Sequence, residues 1–128
     1  MEEFLEGLVL RLRTALGTNS VYGGMEAPQG KTGNYVMVWE LANRRLYSHS
    51  GKLPLIDARY NIDCYVKNAE DGKAFLKGIE ASIADFSGAL NGVSVSSIKL
   101  VDQFDSEYRS ELGYHVSTAD YSAQYYEI

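Results

Sequence analysis

Residues 2–16 repeat apolar side chains at helical spacing: Phe4, Leu5, Leu8, Leu12, Ala15 and Leu16 fall on one stripe. Glu2, Glu3 and Glu6 lie near the positive end of the predicted helix dipole, and Arg11 and Arg13 near its negative end. Gly17 predicts the stop. Residues 17–33 are rich in glycine and read as loop, with a brief strand at Val21-Tyr22. From 34 to 43 the pattern changes to strand. Tyr35, Met37, Trp39 and Leu41 share one face, and Val36 and Val38 make the other apolar, so both faces are expected to be covered. Residues 44–54 read as a polar connection broken by Gly51 and Pro54. Residues 55–67 are a second strand, in which Tyr60, Ile62, Cys64 and Val66 alternate with polar positions.

Asn68 with Asp71 three residues later predicts a helix start. Phe75, Leu76, Ile79, Ile83 and Phe86 form the helix stripe, Gly88 its stop, and Asn91-Gly92 a tight turn. Residues 93–104 are strand. Val93 and Val95 take one parity and Ile98 and Leu100 the other, which predicts a bulge near Ser96-Ser97. Residues 105–113 are polar and end in Gly113; residues 114–126 form the last strand, with Ala119, Tyr121, Ala123 and Tyr125 on one side. The expected fold is one α+β domain over 1–128, in the order α-β-β-α-β-β. It has a mainly antiparallel four-stranded sheet of long hairpins and two helices packed on one face.

The composition, 45% hydrophobic and 23% charged with two prolines, is that of an ordered globular chain. A net charge of −5 argues against a nucleic-acid binder. The single Cys64 permits no internal disulfide. The first residues, MEEFLEGLVLRLR, run acidic to basic, the reverse of a signal peptide, and no run reaches the ~18–20 apolar residues of a membrane span.

Candidate chemistry is sparse. QGKT at 29–32 resembles the end of a phosphate-binding loop, but position 25 is Met25 and a strand, not a helix, follows. His49 and His115 form no zinc spacing with Cys64, which alternates with Ile62 and Val66 as a small buried residue would. Asp102, Asp105, Glu107 and Glu111 lack the offsets of a calcium loop, and no serine sits in G-x-S-x-G. No catalytic residue, metal site or cofactor is expected. The ten tyrosines suit sheet packing, and those near loop ends, Tyr47, Tyr108 and Tyr114, suit contact with another subunit.

Several segments then line up in order: APQG at 27–30, YVMVWEL at 35–41, RYNIDCYVKNAEDGKAFLKGIEASIADFSGALNGVSV at 59–95 and DQFDSEYRSELGYHVSTADYSAQY at 102–125. In this order and spacing the chain resembles the tail-completion proteins of long-tailed bacteriophages, also called tail terminator or tail-to-head joining proteins. The resemblance covers nearly the whole chain. The final strand departs from it, carrying hydroxyl and tyrosine residues where apolar residues are common.

The resemblance implies a structural virion protein of a phage or prophage, made in the host cytoplasm. Its subunits form a ring, usually of six, on the tail tube, and the ring meets the head connector or neck protein. DNA passes through without specific binding, as an acidic bore would allow. A head-to-tail ring needs two different patches per subunit. The expected ones are the two polar loops, with Arg45, Tyr47, His49 and Lys52 in the first and Phe104, Tyr108 and Arg109 in the second. The alternatives are another neck or tube component, a small ligand-binding domain or enzyme, and a DNA-binding accessory protein.

Overall fold

The computed structural model describes residues 2–23, 33–48, 51–110 and 113–126. Helix α1 (Glu2–Leu16) turns its stripe inward, burying Phe4, Leu8 and Leu12. It ends as glycine dictates. Gly17 takes a φ of +66°, its N–H donates to the Thr14 carbonyl, and the N–H of Thr18 donates to Arg13, a Schellman closure. The second helix, α2 (Ala69–Ile83), starts where Asn68 Oδ1 accepts the Asp71 N–H at 2.9 Å. It sits so close to the sheet that a Cβ on Gly72 would stand 2.5 Å from Ser117 Oγ. This helix stops at Ile83, not near Gly88.

The strands are β1 (Val21–Gly23), β2 (Tyr35–Ser48), β3 (Gly51–Val66), β4 (Gly88–Leu90), β5 (Val93–Arg109) and β6 (Tyr114–Tyr126). They form one sheet in the order β1-β2-β3-β6-β5-β4, curled into a half-barrel. The expected four-stranded antiparallel sheet is therefore wrong. Six described strands are present, and β1 runs parallel to β2, so the sheet is mixed. β1 is the brief strand expected at Val21-Tyr22, here joined to the sheet, and β4, which the pattern does not predict, is three residues long, too short to show a period. Gly88 opens β4 with a φ of +124° instead of closing a helix, and Asn91 and Gly92, both at positive φ, make the turn into β5.

The strands also run further than their apolar positions. Residues 44–48 and 51–54 are ladder, not loop, and β5 continues to Arg109. Cross-strand polar pairing enters there: Arg44 bridges Asp57 at 3.2 Å, two rungs from the end of β6.

Both helices lie on one face, over Val36, Val38, Ile62, Cys64, Ala119 and Tyr121. The tyrosines of the last strand belong to this core. Tyr121 and Tyr125 are 1% and 2% exposed, and Phe4 stacks on Tyr125 at 4.4 Å between ring centroids.

The centre and the flanks of the sheet differ. β3 and β6 pair through twelve consecutive rungs, Leu55↔Tyr126 to Val66↔His115, with no slip. β2 and β5 slip repeatedly, at Leu41 and between Arg45 and Tyr47, then at Ser96, at Val101 and between Phe104 and Glu107. The slip at Ser96 is the bulge that the parity change predicts. Such bulges increase local twist and curl the sheet.

Candidate functional site

The predicted contact residues fall at opposite ends of the sheet. The last described rung of the β2–β3 ladder, Ser48↔Gly51, lies beyond the rung Leu55↔Tyr126, whereas the last of the β5–β6 ladder, Arg109↔Tyr114, lies beside Val66↔His115. The two groups are thus held apart. Arg45 is half-buried on β2, opposite Ile56. Tyr47 and Lys52 face each other as a ladder pair, and His49 lies outside the described residues, as do APQG and QGKT. Phe104 and Tyr108 are 53% and 57% exposed on β5. Tyr108 leans on the His115 ring at 5.0 Å. Arg109, also exposed, is on the open face of the sheet, and its charge acts on Asp63 of its own chain.

That open face, turned away from the helices, carries its own polar network. Thr118 Oγ1 donates to Asp63 Oδ1 at 2.9 Å, and Asn61 Nδ2 donates to Asp120 Oδ1 at 2.7 Å. Burial raises the Asp63 pKa, while the Thr118 hydrogen bond and the Arg109 charge act the other way. Tyr35 stacks on Tyr65 at 4.7 Å, and the Tyr114 ring meets both edge-on. Lys67 Nζ stands 4.0 Å from the centre of the Tyr114 ring, and Tyr114 OH donates to the Gly33 carbonyl at 3.1 Å. These groups answer one another within the sheet, and the arrangement is a braced surface. Met37, 3% exposed, packs on this side too.

Cys64 is buried in the core, where desolvation pushes its thiol up to about 12 and keeps it protonated at neutral pH. Among the described residues, no three His, Cys, Asp or Glu side chains gather as a metal site would require. The described helices include none long and apolar enough to cross a membrane. A groove of about 680 Å³ runs between the solvent sides of α1 and α2, lined by Leu10, Arg11, Ala15, Gly78, Ala81 and Leu90.

Two exposed apolar residues escape the alternating pattern. Leu41, 59% exposed, shares parity with Tyr35, Met37 and Trp39, yet it is the extra residue of a bulge. Val101, 47% exposed, is the extra residue of another. Leu41 continues the parity of its strand, so nothing along the chain marks its bulge, whereas Val101 breaks the Ile98–Leu100 parity.

No family model matches this sequence, and no curated protein matches it significantly. The fold, however, is similar to that of a known virion chain. Over 90% of this chain and 84% of the other, it superposes on a chain from the "Virion of native gene transfer agent (GTA) particle", with a TM-score of 0.67 and 15% sequence identity. At that identity the likeness is one of fold.

Proposed function

We propose that this chain is a structural subunit of a phage-like virion, placed at the end of the tail tube. There a ring of copies, six by the family resemblance, closes the tube and meets the head connector. The observation that carries this reading is the fold shared over nine-tenths of the chain with a component of a phage-like virion. The ordered motifs from YVMVWEL to the final strand add the tail-completion role. The partners are then further copies of the chain, the tail tube protein and the neck protein, and the subunit works by contact, without catalytic residue or cofactor. A net charge of −5 per subunit suits a ring through which DNA slides without adhering.

Electron microscopy of particles assembled with and without the chain tests the reading. Tails of uncontrolled length, or complete tails that fail to join heads, are expected in its absence. Particles of unchanged length and joining would overturn the reading, as would many copies spread along the tube in place of one ring at its end.

A further inference from the structure

Among the described residues, both margins of the sheet lack a paired strand over long stretches. No described strand pairs with β2 beyond Val38 on its outer side, nor with β5 beyond Val95 on its own. Such edges are usually guarded by charge, by proline or by shortness. Here the bulges break the regular ladder, which protects against an added strand. Apolar side chains nevertheless stand out at these places: Leu41 on one margin, and Val101, Phe104 and Tyr108 on the other, each 47–59% exposed. Apolar groups gathered along an edge mark a contact surface. The balance of charge around them differs, although Arg44 is paired with Asp57 and β5 also carries the exposed Arg109. Arg44 and Arg45 follow Leu41, whereas Asp102 and Glu107 flank Phe104.

We propose that the β2 margin of one copy docks against the β5 margin of the next, through these side chains and without continuing the sheet. The two surfaces are different, one richer in arginine and the other in carboxylates, and lie on opposite sides of one sheet. Repeating the contact is therefore head-to-tail and closes into a ring when the rotation closes. The inference rests on the ring reading above and names its interface. It moves the contact from the hairpin tips to the margins and adds Leu41 and Val101 to Phe104 and Tyr108.

Complementation between two defective copies tests it. In Leu41→Glu the β2 margin is spoiled and the β5 margin intact; in Phe104→Glu the reverse holds. Sedimentation of the purified full-length chain should show concentration-dependent assembly for the wild type and a weakening of at least tenfold for each variant. Mixing the two variants should restore one contact and yield a dimer and nothing larger. Leu41→Ser and Phe104→Ser, with milder side chains, guard against misfolding, and thermal unfolding confirms that each variant folds. Wild-type assembly by either glutamate variant would overturn the proposal. So would a mixture that stays monomeric, larger assemblies in the mixture, or a wild-type chain that is monomeric at every concentration. Rings that form as predicted while tails lacking the chain remain normal would overturn the tail-end reading and leave this interface standing.

Discussion

The central pair β3–β6 and the flanking strands β2 and β5 are built from similar residues and behave differently. The centre keeps register through twelve rungs and buries Ile62, Cys64, Ala119 and Tyr121 under the helices. The flanks slip at every few residues and leave large apolar side chains in solvent. In an isolated subunit the second arrangement gains little, because exposed apolar area contributes nothing until it is covered. The contrast separates two tasks: the central pair with its helices holds the fold, and the margins are left for the contact proposed above.

Substitutions at the centre should have the largest effect on stability. Ile62→Ala removes a fully buried side chain between two strands and under a helix. It should cost about 2–5 kcal/mol, measured by urea unfolding. Asn68→Ala removes the oxygen that starts α2 directly after β3 and should cost about 1 kcal/mol in the same assay. Ser117 tests the centre in the opposite direction. Its hydroxyl is 0% exposed and has no hydrogen-bond partner among the described residues. Ser117→Ala should therefore be neutral or stabilising, by up to about 1 kcal/mol. A marked loss would reveal a partner for that hydroxyl and revise the packing against Gly72.

At the margins, Val101→Ser should change unfolding free energy by less than about 0.5 kcal/mol, since the side chain is half in solvent, while weakening self-association. A loss comparable to that of Ile62→Ala would erase the contrast. The smallest effect is expected at Asp63, on the open face. Its folded pKa is raised by burial, so the folded state binds its proton more tightly than the unfolded chain does. Stability from this group is complete below the ordinary aspartate pKa and falls as pH rises through the folded value. Asp63→Asn keeps an acceptor for Thr118. It should raise the melting temperature slightly at neutral pH, and the gain should shrink in acid.

Much of this fold is legible in the chain where one residue has one local task. The stripe of α1, Gly17, the Asn68 cap, the Asn91-Gly92 turn and the bulge at Ser96 each leave a local mark, and each lies where its mark predicts or one residue away. What is lost depends on partners. β4 is a strand only because β5 supplies the other half of its three rungs, whereas the brief strand expected at Val21-Tyr22 is β1. Polar stretches such as 44–48 are strand because Arg44 meets Asp57 across the ladder, which no period along one strand records. The margins follow the same logic: Phe104 and Tyr108 can be singled out as aromatic residues in a polar segment. Leu41 continues the face of Tyr35, Met37 and Trp39 in the sequence, and only the extra position beside Glu40 takes it out of that row.

Hydroxyl-radical footprinting of the chain at low concentration and in the assembly proposed for it reads the division of tasks at the side chains themselves. On assembly, Leu41, Val101, Phe104 and Tyr108 should lose reactivity while Leu10, in the groove between the helices, keeps it. Protection of Leu10 with the two margins still reactive would contradict the account, for the helix face and not the sheet margins would then be the surface that meets the next subunit.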